Sequence, residues 1–127
     1  MSGSDSIVIA GAAQAGGRAA QAMRGAGFEG RILLIGEETW LPYERPPLSK
    51  ALIVEGGGHE TVHLHDPDYY ESHRIETLLG APVESIDLAA RTVRVDGGDI
   101  AYDRLLLTTG ARVRRLPVPG ADLPGVH

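Results

Sequence analysis

Apolar residues arrive along this chain in short runs punctuated by glycine and proline, and the runs switch between two periods. Ser6 to Ala10 (SIVIA) is rich in β-branched residues and closed by Gly11, which predicts a buried strand. From Ala15 the spacing becomes helical. Gly16, Ala19, Ala20, Met23 and Ala26 fall on one side, and Gln14, Arg18, Gln21 and Gly25 on the other. This predicts an amphipathic helix with a small-residue face, stopped by Gly27. Arg31 to Gly36 (RILLIG) predicts a second buried strand. Strand, glycine turn, helix and strand make a βαβ unit, whose two strands run parallel through a right-handed crossover. A ligand site then belongs at the carboxyl ends of the strands, where Gly11 and Glu37 lie.

Further along, Leu41 to Lys50 (LPYERPPLSK) reads as a proline-stiffened loop that starts a short helix at Pro46 or Pro47 and fades by Glu55. Gly56 to Gly58 is a break. Asp66 to His73 predicts another short helix, with Asp66 as N-cap and Pro67 at its first position. Ile75 to Leu79 follows as a strand. Val83 to Ile86, Thr92 to Val95 and Ile100 to Leu107 are three further strand-like segments, with Asp96, Gly97 and Gly98 as a hairpin turn. Leu105 to Leu107 is apolar on both faces and is expected at the centre of the parallel sheet, which makes the preceding segment an antiparallel excursion. The fold class expected is α/β: a Rossmann-like three-layer domain with a central parallel sheet. The proline- and glycine-punctuated stretch after Arg115 reads as a connector.

Composition narrows the function more than the fold. The chain has 127 residues, 43% of them hydrophobic, enough for one compact domain. A formal net charge of -5 argues against a nucleic-acid or anionic-membrane surface, either of which asks for a clustered basic face. The absence of cysteine excludes disulfides, thiolate metal sites and a cysteine nucleophile within this stretch. Met1 to Ser6 has no basic leader and Ile7 to Ala13 is too short to span a bilayer, so a cytoplasmic location is expected.

The turn Gly11, Ala12, Ala13, Gln14, Ala15, Gly16 opens the helix directly after a strand. A dinucleotide's pyrophosphate needs backbone N–H groups and a positive helix end with no side chains in the way, which is why such turns are glycine-rich. Here the second glycine of GxGxxG is Ala13, and its methyl stands where the pyrophosphate would approach. Glu37, at the end of the second strand, can accept both hydroxyls of an adenosine ribose and would repel a 2′-phosphate. Arg45 presents a fork suited to phosphate oxygens, and Lys50 lies one helical turn past the prolines, within reach of the same cavity.

GAAQAGGRAAQAMRGAGFEGRILLIGEE followed by LPYERPPLSKALI resembles the ferredoxin reductases of cytochrome P450 and dioxygenase systems, the rubredoxin reductases and the apoptosis-inducing factors. The similarity continues to the last residue, PYERPPLSK being its specific part and TTG a signal shared more widely. The resemblance implies FAD as cofactor, with its pyrophosphate over Gly11, Ala12, Ala13, Gln14, Ala15 and Gly16 and its adenosine ribose on Glu37. It implies Arg45 and Lys50 at the phosphate and flavin regions, and Pro46 close to the ring. Val83 would hold the adenine through its backbone. Thr109 and Gly110 would close over the cofactor, with Arg112 as a further contact. The Lys50 ammonium would stabilise charge that builds on the reduced flavin.

The same resemblance implies an oxidoreductase that takes electrons from NADH through FAD to a ferredoxin or rubredoxin carrier. It also implies that residues 1–115 are part of an FAD-binding domain and 116–127 a connector toward an NAD-binding domain, so that the chain alone is not expected to turn over. Two other readings stand beside it: a standalone nucleotide-binding module without catalysis, and a regulatory redox protein like the apoptosis-inducing factors. Trp40 and Tyr43 are candidates for lining the cofactor cavity. His63 and His65, near Asp66 and Asp68, read as surface residues, and no metal is expected.

Overall fold

The computed structural model describes residues 5–126. Strand β1 (Ser6–Ala10), helix α1 (Gln14–Gly25) and strand β2 (Arg31–Gly36) form the expected βαβ unit. Helix α2 (Ala51–Glu55) and helix α3 (Pro67–Ser72) are short. Strands β3 (Ile75–Leu79), β4 (Val83–Asp87), β5 (Thr92–Val95), β6 (Gly98–Ala101) and β7 (Arg104–Leu107) complete the described elements. A parallel sheet has the order β3-β2-β1-β7, and β4, β5 and β6 form a separate antiparallel sheet.

After their first residues, Ser6 and Arg31, β1 and β2 are apolar because both of their faces are covered. Ile7, Ile9, Ile32 and Leu34 point to the helical side, where they meet Ala20, Phe28, Tyr70 and Ile75. Val8, Leu33 and Ile35 point the other way, onto Val93, Val95 and Tyr102 around the antiparallel sheet. The result is three layers, with a core on each face of the parallel sheet. Each large side chain fully buried there, such as Ile9, Ile32 or Leu34, contributes about 1.5–3 kcal/mol.

The small face of α1 has a packing reason. A β-carbon on Gly17 would lie 2.7 Å from Pro42 Cβ and 2.8 Å from Leu64 Cδ1, so the loop after β2 rests directly on the helix. The helix ends in a Schellman arrangement. Phe28 N donates to Met23 O at 3.0 Å and Gly27 N to Arg24 O at 3.0 Å, with Gly27 at φ 82°. Arg24 then fastens this end of the domain by donating to the carbonyls of His73 at 2.8 Å, Arg74 at 2.6 Å and Gly30 at 2.8 Å.

Four expectations change in detail. The segment Ile100 to Leu107 is two strands in different sheets, because the chain turns a corner at Tyr102 and Asp103. Tyr102 is buried under the parallel sheet, and Asp103 accepts from Ser6 N at 2.7 Å and Ser6 Oγ at 2.9 Å, which docks β7 beside β1. Leu105 to Leu107 lies at the edge, not the centre, of the described sheet: β1 is its neighbour on one side, and Leu107 is 57% exposed. The helix expected after Pro46 is broken at Lys50, where φ -132° and ψ -101° separate the 3-10 turn Pro46–Ser49 from α2. Asp66 precedes α3 in extended conformation but makes no side-chain cap, and Pro67 alone marks the start. The hairpin turn is as expected, with Asp96 at φ 50° and Gly97 at φ 74°, the two positive angles of a type I′ turn.

Candidate functional site

The carboxyl ends of β1, β2 and β7 converge on a hollow of about 390 Å³ lined by Gly11, Ala12, Ala13, Gly36, Glu37, Glu38, Arg45, Thr108, Thr109, Gly110 and Ala111. A second hollow of about 290 Å³ shares Gly11, Glu37, Thr109, Gly110 and Ala111 with it and continues over Pro82, Val83 and Arg112. The two therefore make one elongated cleft. It lies where a ligand is expected in an open parallel sheet.

Three positions of the glycine turn meet different demands. Gly11 has φ +122°, and a β-carbon there would run into the Thr108 carbonyl, 3.0 Å from the Thr108 hydroxyl. Gly16 has an ordinary backbone, but a β-carbon on it would strike the Gly11 carbonyl oxygen. Ala13, between them, sits at φ -97° and ψ -162°, an extended conformation that any residue adopts. The departure from GxGxxG therefore costs nothing in backbone strain, and its methyl forms part of the cleft wall. Gly36 closes the turn from the other side, since a β-carbon there would lie 2.6 Å from Ala12 Cβ.

Helix α1 begins without a side-chain cap, and its first turn carries no acidic residue. Among the described residues nothing accepts from the amides of Ala12 to Gly16. A 12-residue helix thus brings the positive end of its dipole and a set of unused donors to the cleft. Such an end suits a phosphate anion.

The charged side chains are arranged around that end. Glu37 lines both hollows and has no hydrogen-bond or ion-pair partner among the described residues. Arg45 Nη2 lies 3.2 Å from Glu38 Oε1, and Tyr43 Oη donates to Glu38 Oε2 at 2.7 Å. The Arg45 guanidinium also sits 5.5 Å from the centre of the Tyr43 ring. Partial burial, and then the bond to Glu38, raise the Tyr43 phenol above its ordinary value, so Tyr43 remains a neutral donor.

Of the residues expected from sequence, the structure brings Gly11, Ala12, Ala13, Glu37, Arg45, Val83, Thr109, Gly110 and Arg112 to the cleft. Gln14, Ala15 and Gly16 form the first turn of α1 beside it, Gly16 buried beneath. Pro46 and Lys50 are exposed and line neither hollow. Trp40 and Tyr43 line a different, apolar hollow of about 270 Å³ with Leu48, His59, Val62 and His63. Only the Tyr43 hydroxyl group reaches toward the cleft, through Glu38. His65 stacks on Tyr69 at 3.8 Å, and Tyr69 on His73 at 3.9 Å. Sequence reasoning missed Glu38 and Thr108; the doubled acid after β2 and the doubled threonine after β7 were the available signals.

Residues 5–127 match the family described as pyridine nucleotide-disulphide oxidoreductase. The chain belongs to that family. It is 50% identical to rhodocoxin reductase of Rhodococcus erythropolis over 96% of this chain and 29% of that protein. It is 44% identical to the biphenyl dioxygenase system ferredoxin–NAD(+) reductase component of Paraburkholderia xenovorans, over 97% of this chain and 30% of that protein. A crystal structure of a ferredoxin reductase from Rhodopseudomonas palustris superposes with a TM-score of 0.89 at 41% identity, over 96% of this chain and 30% of that one. The chain thus spans about 30% of the length of the relatives it matches. These similarities agree with the resemblance drawn from PYERPPLSK and its surroundings. Although the family takes its name from a disulphide, this chain contains no cysteine. No helix among the described residues is long and apolar enough to cross a membrane.

Proposed function

We propose that this chain is the FAD-binding portion of an NAD(P)H-dependent ferredoxin or rubredoxin reductase, with residues 1–115 forming that portion and 116–127 leading out of it. One observation carries the reading: the uncapped, positive end of α1 opens into a cleft that also holds Glu37 and Arg45. The donor set fits an adenine dinucleotide. Amides of Ala12 to Gly16 and the Arg45 guanidinium suit the pyrophosphate, while Glu37 accepts from ribose hydroxyls. The extension of the cleft over Val83 gives the adenine a partly apolar wall next to backbone groups.

FAD, when bound, would supply the redox chemistry, the conversion of an electron pair from NADH into single electrons for an iron–sulfur carrier. The residues of this chain bind and orient. Gly11 and Gly16 allow the backbone to approach the anion closely, and Arg45 offsets its charge. Thr109 and Gly110 form the opposite wall. Lys50, on the surface at the start of α2, offers its charge to a group approaching from outside the cleft. With no cysteine in the chain, electrons pass to the carrier without a thiol relay in this region. Relatives named for rhodocoxin and for ferredoxin support a carrier of that class. The reading includes the cytoplasmic location expected from sequence.

The test is to purify the protein that contains this chain and add NADH without oxygen. Bleaching of a bound flavin, followed by reduction of an added ferredoxin, is the expected result. A protein that carries no flavin, or a flavin that NADH leaves oxidised, would overturn the proposal.

A further inference from the structure

Thr108 immediately follows β7, and it is bound to the glycine turn in more ways than any other residue of the opposite wall. Its amide donates to Ala10 O at 2.9 Å, continuing the β1–β7 ladder by one bond. Its hydroxyl then donates to Gly11 O at 2.8 Å and lies 3.4 Å from Ala10 O. The space it occupies is the space that two missing β-carbons leave, since one on Gly11 would come within 3.0 Å of Thr108 Oγ1 and one on Gly16 within 2.9 Å.

The Gly11 peptide needs such a hold. With φ +122° it turns the chain from strand into helix, and Gly11 N is already fixed to Ile35 O at 2.8 Å. The plane of the next peptide, between Gly11 and Ala12, decides where the Ala12 amide points. Its carbonyl oxygen is the Thr108 acceptor, and its N–H is the first donor of the anion-binding set. One hydrogen bond therefore fixes the orientation of that peptide and ties the two walls of the cleft together.

We propose that Thr108 is a positioning residue for the dinucleotide turn: its hydroxyl orients the Gly11–Ala12 peptide so that the amides leading into α1 are preset for a pyrophosphate. The role rests on the FAD-binding reading of the cleft but has a consequence in the ligand-free chain as well. Preset donors spare the ligand the cost of ordering them, so loss of the hydroxyl weakens binding without removing any contact to the ligand.

The experiment compares wild type, Thr108→Ala and Thr108→Ser by amide hydrogen exchange without ligand and by titration with FAD. In Thr108→Ala, exchange of the two bonded amides that flank the turn, Gly11 (to Ile35 O) and Gly17 (to Ala13 O), speeds up by about tenfold, the weight of one hydrogen bond, while Val8 and Leu33 keep their rates. The dissociation constant for FAD rises by about the same factor. Thr108→Ser restores both. Unchanged exchange at Gly11 and Gly17 in Thr108→Ala, or a serine variant as impaired as alanine, would overturn the positioning role. A wild-type chain that takes up no FAD would sink the cofactor reading instead, and the exchange comparison would still decide the role of Thr108.

Discussion

Arg45 and Glu38 meet on the wall of the cleft, with Arg45 Nη2 3.2 Å from Glu38 Oε1. The pair is about half exposed, so its contribution to stability is small. Its importance is that the cation facing the α1 end is shared with a carboxylate before any ligand arrives. Glu37 and Glu38 also place two acids in the hollow over the glycine turn, where Arg45 is the one arginine and Arg112 lies along the extension.

Arg45→Ala is therefore expected to raise the dissociation constant for FAD by about tenfold, as the loss of a charge-assisted hydrogen bond does. Glu38→Gln works in the opposite direction. It leaves a hydrogen-bond partner for Tyr43 and Arg45 but removes a negative charge from the cleft, and tightens binding about twofold, in keeping with a half-exposed ion pair. Parallel flavin titrations of the two variants check both signs.

The glycine turn makes a split prediction. Gly16→Ala drives a β-carbon into the Gly11 carbonyl and should destabilise the fold by about 2 kcal/mol, lowering the melting temperature and abolishing cofactor binding together. Ala13→Gly removes a methyl from the cleft wall without relieving any strain. It should leave the melting temperature within a degree or two, since surface changes of this kind cost about 0.5 kcal/mol or less, and bind FAD more tightly. Thermal melts alongside titrations separate these outcomes.

Asp103 predicts a pH dependence on the acid side. Hydrogen bonds from the Ser6 amide and hydroxyl hold its carboxyl below the ordinary aspartate range. A depressed folded-state value means that the stabilising effect is fully present above the unfolded-state value and is lost as pH falls through the folded one. Wild type should accordingly lose melting temperature at acid pH more steeply than Asp103→Asn, while at neutral pH the variant is the less stable of the two. Identical pH profiles would show that Asp103 does not dock β7 onto β1.

In the core, Leu34→Ala empties a fully buried site between α1 and the parallel sheet. The expected loss is about 3 kcal/mol, read by urea denaturation with an unchanged slope.

How legible each element was follows from what its sequence had to encode locally. β1, α1 and β2 could be read to within a residue or two because two-faced burial and a helix on a small-residue face impose period and residue type together. The corner at Tyr102 and Asp103 could not, since Ile100 and Tyr102 keep the alternation of a continuous strand while the chain changes sheets. Arg24 is one arginine among several in sequence, and only the folded chain brings the carbonyls of Gly30, His73 and Arg74 around it. The cleft shows the same division. Gly11, Gly16 and Glu37 carry a recognisable spacing, whereas Glu38 and Thr108 act through contacts with Arg45 and Gly11 that no spacing announces. Trp40 and Tyr43 were read as candidates for the cofactor cavity because they are aromatic; in the folded chain they line the apolar hollow beside His59 and His63, with the Trp40 ring 4.5 Å from that of His59.

The central claim is that the α1 end, Glu37 and Arg45 form a binding site for FAD. It is tested most directly by titrating the purified chain with FAD and following the flavin absorbance, with Arg45→Ala beside it. The account predicts a saturable, structured flavin spectrum at one FAD per chain, reached at about tenfold higher concentration in the variant. A spectrum that stays that of flavin in water at every ratio, for both proteins, would contradict it.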